Sequence, residues 1–146
     1  THAEEAIGVA RAARAAGVPY VLSFTVETDG SLPSGQGLQD ALAEVEAATG
    51  GSALFYMINC AHPTHFAQAL VGPMQGRIGG IRANASRLSH AELDVATEVD
   101  DGNPVEFGLD YAGLGATLPG LRIIGGCCGS DHRHVASACM HLHSKA

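Results

Sequence analysis

Basic residues are scarce in this chain, 8 lysines and arginines against 15 aspartates and glutamates in 146 residues, for a formal net charge of −7. Affinity for nucleic acid and for anionic membrane surfaces is built on lysine and arginine contacts, so neither is an expected partner. No apolar run approaches the roughly 20 residues needed to cross a bilayer, which excludes a helical span. The opening Thr1-His2-Ala3-Glu4-Glu5 lacks the basic and apolar segments of a signal peptide, and the expected compartment is the cytoplasm. An initiator methionine is missing too, and the sequence runs from Thr1 straight into a helical pattern, as expected of a processed chain or a piece of a longer one. Cysteine is sparse at four, and two of the four are adjacent, Cys127-Cys128. An adjacent pair fits a disulfide framework badly, and in a reducing compartment it points to metal or catalytic chemistry.

What is present suffices for one compact domain: 46% of residues are hydrophobic and 16% charged, a balance that is neither disordered nor fibrous. Four apolar runs recur, at 20–26 (Tyr20-Val21-Leu22-Ser23-Phe24-Thr25-Val26), 53–58, 77–81 and 121–126, each followed by helical periodicity. Their largely continuous apolar character predicts strands buried on both faces, as in a parallel sheet covered by helices. Stripes at Ala6, Val9, Ala10 and Ala13, then at Leu38, Ala41, Leu42 and Val45, place the first two helices, the first closed by Gly17 and Pro19. Phe66 and Leu70 follow Pro63, which suits a first helical position. Phe107, Tyr111 and Leu114 mark the next helix, and Val135, Cys139 and Leu142 the last.

The expected fold is α/β: a helix, then four parallel strand–helix units joined by right-handed crossovers. Four units are half of a (β/α)8 TIM barrel, whose usual size is about 250 residues. Residues 1–146 are therefore expected to form the C-terminal half of such a barrel, with the N-terminal half absent. An open four-stranded parallel sheet is the alternative that pattern alone leaves standing. Either way two sheet edges are open, which favours a homo-oligomer. The polar stretch from Arg82 to Pro104, with Glu92, Asp94, Glu98, Asp100 and Asp101, is long for such a connection. It reads as a solvated acidic excursion, or as a functional loop holding a short helix near 91–96.

Three cysteines fall where α/β enzymes place their chemistry, at the C-terminal ends of strands: Cys60 after the second run, Cys127 and Cys128 after the fourth. Three protein ligands with one open position is the pattern of a catalytic zinc site, and thiolates select zinc over magnesium or calcium. Neighbouring strands are about 4.8 Å apart, so strand ends separated by a third start near 10 Å and must be drawn together. Gly125, Gly126 and Gly129 give the backbone the freedom to do so. Taken alone, the Cys127-Cys128 pair also fits a redox or metal-sensing dithiol. Cys139 lies on an apolar stripe and is expected in the core. His132 and His134, and His62 and His65, are expected to cap helices or face solvent, and His141 and His143 to be solvated.

Asn59-Cys60, then Asn84-Ala85-Ser86, then Gly125-Gly126-Cys127-Cys128-Gly129 resembles the homocysteine S-methyltransferase family, which includes betaine-, S-methylmethionine- and methyltetrahydrofolate-dependent members. Ser23-Phe24-Thr25-Val26 with Asp29-Gly30 and Leu32-Pro33-Ser34-Gly35 is similar to that family's fifth-strand region. The resemblance implies the last four units of an eight-stranded barrel and a Zn2+ cofactor on Cys60, Cys127 and Cys128. It also implies methyl transfer from a small-molecule donor to the homocysteine thiol, giving methionine. Asn59 and Asn84 match motif positions and are expected to shape the substrate pocket; no catalytic residue beyond the metal ligands is expected. The family's first four strands serve the amino-acid end of homocysteine and the donor side, so the donor stays unnamed and a zinc-binding chain without turnover is compatible with the resemblance.

Overall fold

A computed structural model describes residues 2–143. Helix α1 (Ala3–Ala15) precedes four strands, β1 (Leu22–Thr25), β2 (Tyr56–Asn59), β3 (Ile78–Ala83) and β4 (Ile123–Gly126). Between and after them come α2 (Leu38–Thr49), α3 (Pro63–Phe66), α4 (His90–Val95), α5 (Pro104–Thr117) and α6 (His132–His143). The strands form one sheet in the order β1-β2-β3-β4, every neighbouring pair parallel. This is the α/β arrangement expected from the sequence, with half the strands of an eight-stranded barrel. Among the described residues no helix is long and apolar enough to cross a membrane.

Local signals set the helix starts that matter for the site. His62 caps α3, its ring nitrogen accepting from the Thr64 N–H, with Pro63 at the first helical position where a missing N–H costs nothing. Asn103 caps α5 by accepting from the Val105 and Glu106 N–H groups, again with a proline following. The acidic stretch does contain a helix, α4, closed at its start by a reciprocal capping box between Ser89 and Glu92.

The helix-facing side of the sheet is the core. Leu22, Phe24, Tyr56, Ile58, Ile78 and Ile81 are all buried there, beneath Leu38, Ala41, Leu42 and Val45 of α2 and Phe107, Tyr111 and Leu114 of α5. The other side differs from expectation. Ser23, Thr25, Met57, Asn59 and Arg82 alternate with the core residues and are half-buried or exposed, so β1 and β2 are buried on one face rather than two. Ile123 on edge strand β4 is 43% exposed.

Two helical stripes also shift. On α1 the buried residues are Ala3, Ile7 and Ala10, spaced four and three apart on one helical face, and Val9, off that face, is 53% exposed. On α6 full burial goes to His134, Ser137 and Ala138, while Val135, Cys139 and Leu142 are half-buried. Gly108 of α5 explains the shift: a Cβ there would collide with Ser137 Oγ, so the two helices meet through small residues. His141 is half-buried rather than solvated, donating from Nδ1 to the Ser137 carbonyl at 2.8 Å. The His143 side chain lies outside the described residues.

The hydroxyl of Tyr111, fully buried on α5, ties β3 to β4. It lies 2.6 Å from the Gly125 carbonyl and 3.1 Å from the Ile81 carbonyl, and accepts from the Ala83 N–H at 3.2 Å. Burial raises its pKa to about 12, so it stays a neutral donor. Replacing Tyr111→Phe leaves these buried groups short of a partner and is expected to cost about 1–3 kcal/mol. Urea unfolding checks this as a lower midpoint with an unchanged slope.

Candidate metal centre

The sulfurs of Cys60, Cys127 and Cys128 lie within 4.8 Å of one another, with Cys60 and Cys127 2.7 Å apart. Sulfurs sharing one tetrahedral zinc with bonds of about 2.3 Å sit about 3.8 Å apart. The three sulfurs thus lie close enough together to share one ion, and all-sulfur donors are the soft set that suits zinc, so the residues fit the ion. Among the described residues this is the one cluster of three or more histidine, cysteine or carboxylate side chains with such mutual distances.

Backbone pairing carried past the strand ends closes the gap between β2 and β4. The Cys60 N–H donates to the Arg82 carbonyl at 3.1 Å and the Asn84 N–H to the Ala61 carbonyl at 2.9 Å. On the opposite edge, the Cys127 N–H donates to the Ala83 carbonyl at 2.7 Å and the Ala85 N–H to the Cys128 carbonyl at 3.0 Å. The chain from 82 to 85 is thus stitched on both sides, and it holds the two cysteine-bearing turns against itself. Asn84, buried, adds its side chain: Oδ1 accepts from the Cys128 N–H at 3.1 Å.

Two turns then aim the sulfurs. Gly129 has φ +76°, and a Cβ there would also collide with the Asp100 carbonyl, so glycine is required on both counts. Ser130 Oγ donates to the Cys127 carbonyl at 2.7 Å and fixes the same turn. Cys60 has φ 57°, the left-handed region that a residue with a Cβ adopts only at a cost of about 1–2 kcal/mol. Burial pushes the Cys60 thiol upward, and the Cys127 thiol beside it adds to the shift; a nearby cation acts in the opposite sense.

Asn59 and Asn84 do not share one environment. The Asn59 amide is engaged by β1, with Oδ1 accepting from Ser23 Oγ at 2.5 Å and Nδ2 donating to Thr25 Oγ1 at 2.9 Å. Sequence reasoning missed His90 and Glu27. His90 Nε2 donates to the Cys60 carbonyl at 2.6 Å, and its Nδ1 is 3.2 Å from both Glu27 carboxylate oxygens. Burial works against a charge on this ring, but the Cys60 carbonyl and Glu27 outweigh it and raise the His90 pKa. No motif flags the pair, because Glu27, on the loop after β1, and His90, at the start of α4, are 63 residues apart.

The remaining candidates stand aside. Cys139 is half-buried on α6 and, with Leu118, Ile124 and Leu142, lines a separate cleft. His132 is exposed, as expected, and His134, fully buried, takes the capping alternative at the start of α6. Its Nδ1 accepts from the Asp131 N–H at 3.1 Å and its Nε2 donates to the Asp101 carbonyl at 2.7 Å, so it tethers the end of the acidic stretch. His62 is buried as the cap of α3, 3.6 Å from Asp110. Beside the sulfurs, Leu93, Asp94, Val99, Asp100, Cys128 and Gly129 bound a cleft of about 380 Å³, and Cys128 is exposed to it.

The sequence model of a family described as homocysteine S-methyltransferase matches residues 1–142. No curated protein matches the chain.

Burial of His62, with Arg87 and His65 near it, lowers its pKa from 6.5 to about 4. The folded chain keeps this ring neutral while the unfolded chain protonates it, so its contribution is complete above about pH 6.5 and is lost as pH falls to about 4. The expected slope in that window is at most about 1.4 kcal/mol per pH unit. Denaturant unfolding across the same window should show a shallower loss for His62→Gln than for the unaltered chain.

Proposed function

Because the chain belongs to the homocysteine S-methyltransferase family, we propose that Cys60, Cys127 and Cys128 hold a zinc ion and that the methyl acceptor is the thiol of homocysteine. The observation that carries this reading is the meeting of three sulfurs from two strand ends within 4.8 Å. A zinc ion there supplies positive charge that favours the thiolate of an incoming thiol, whose free pKa is about 8.5. The chain's own residues do the rest. Three sulfurs on a zinc ion would leave a fourth position for substrate, and Cys128 is exposed to the adjoining cleft. Asn84 fixes the Cys128 backbone, and Asn59 braces the end of β2 against β1. The thiol proton leaves to solvent, the sulfur lone pair takes the methyl group, and the donor departs with the electron pair of the broken bond. Homocysteine and a small-molecule methyl donor are the proposed partners, and methionine the product.

The four strand–helix units are proposed as the metal-carrying half of an eight-stranded barrel. The open edges at β1 and β4 are where further strands would join, from another part of a longer chain or from a second copy. Whether residues 1–146 turn over alone depends on that completion.

Elemental analysis is expected to give about one zinc per chain. Cys127→Ser should weaken retention by more than the roughly 10–100-fold typical of outer-shell changes, and Cys139→Ser should leave it near the original value. Titrating homocysteine into the zinc-loaded protein should release a proton. A chain that binds no metal but cycles Cys127 and Cys128 between oxidised and reduced forms would instead identify a dithiol redox module.

A further inference from the structure

Among the described residues, Cys60 is the one non-glycine with a positive φ, and both peptide groups that border it are held from outside its own strand. Its N–H is bound by the Arg82 carbonyl at 3.1 Å, and its carbonyl by His90 Nε2 at 2.6 Å. His90 in turn meets the Glu27 carboxylate at 3.2 Å and occupies the first position of α4, where the Ser89–Glu92 capping box fixes the helix start. Loops after β1, β2 and β3 therefore converge on one backbone carbonyl. A left-handed residue with a Cβ persists only where its surroundings over-determine it. Here the sulfur's direction depends on that backbone: with an extended φ, the Cβ would leave the side on which Cys127 and Cys128 lie.

We propose that His90, oriented by Glu27, is a positioning residue for Cys60: its hydrogen bond to the Cys60 carbonyl holds the left-handed backbone that directs the sulfur toward Cys127 and Cys128. The proposal rests on the reading of Cys60 as a metal ligand. It assigns a role to the acidic stretch, which carries α4 and so delivers the imidazole. Histidine suits the task because its two ring nitrogens, on opposite sides of a rigid ring, bond the Cys60 carbonyl and Glu27 at once. Partners beyond the ligand shell act in this way, by orienting ligands rather than touching the metal.

The test titrates Zn2+ and Co2+ into the full 146-residue chain and its variants, reading affinity by chelator competition and ligand number from the sulfur-to-cobalt absorption band. His90→Ala is expected to weaken zinc binding about 10–100-fold. Its cobalt band should fall toward that of Cys60→Ser, which marks a site with one sulfur fewer. His90→Gln keeps an N–H near the carbonyl and should recover most of both readouts, which a loss of general packing would not. Val95→Ala, on the same helix and 79% exposed, should match the unaltered chain. Glu27→Gln should move both readouts in the direction of His90→Ala by a smaller factor, and it keeps the test decisive should His90→Ala fail to fold. Unaltered affinity and an unaltered band in both His90→Ala and Glu27→Gln would overturn the role of His90 alone. An unaltered chain that takes up neither metal would overturn the metal centre itself.

Discussion

The site depends on how the end of β3 is bonded to both of its neighbours. Residues 82–85 give or take four backbone hydrogen bonds beyond the regular sheet, two toward Cys60 and Ala61 and two toward Cys127 and Cys128. Strand ends with one strand between them start about 10 Å apart. Continued pairing curls both outer turns over the middle strand, and three sulfurs arrive within 4.8 Å of one another. Asn84, Tyr111 and Ser130 reinforce this arrangement at the Cys128 amide, the Gly125 carbonyl and the Cys127 carbonyl. The three cysteines are thus placed by main-chain geometry more than by side-chain packing.

The two faces of the sheet divide the labour. One face is a conventional core of Leu22, Phe24, Tyr56, Ile58, Ile78 and Ile81 beneath the helices. The other presents Ser23, Thr25, Asn59 and Arg82, polar groups that lead up to the cysteines. At the opposite end, Arg77 donates to the Ala53 carbonyl at 2.7 Å and pairs with Glu46 at 2.8 Å, which also accepts from the Tyr56 hydroxyl. Chemistry at the C-terminal ends of strands and stabilising polar contacts at the N-terminal ends is the division expected of barrel-type folds.

Much of this was legible in the sequence. Apolar runs mark all four strands, and the stripe of Leu38, Ala41, Leu42 and Val45 that places α2 is also its buried face, because strand and helix periods survive in local sequence. The three cysteines could be placed at strand ends, since residues directly following a buried run have little freedom to be elsewhere. Small residues hid the rest. The α5–α6 contact runs through Gly108 and Ser137, which no hydrophobic stripe reveals. The open face of the sheet does not stand out in the sequence because Ser23 and Thr25 sit within an otherwise apolar run. His90 and Glu27 carry no motif, and the φ of 57° at Cys60 cannot be inferred from a residue type that normally avoids it.

The separation of Cys60 and Cys127 along the chain, 67 residues, bears on the order of assembly. Closing so long a loop directly is entropically costly, whereas β2–β3 and β3–β4 pairing divides the span into two shorter crossovers. The thiols therefore converge only after both crossovers have docked. In a nascent or partly folded chain, Cys60 remains remote from the adjacent pair, and an ion that met either would find an incomplete shell. Any ligand that needs all three sulfurs is therefore captured late in maturation, once the second crossover is in place.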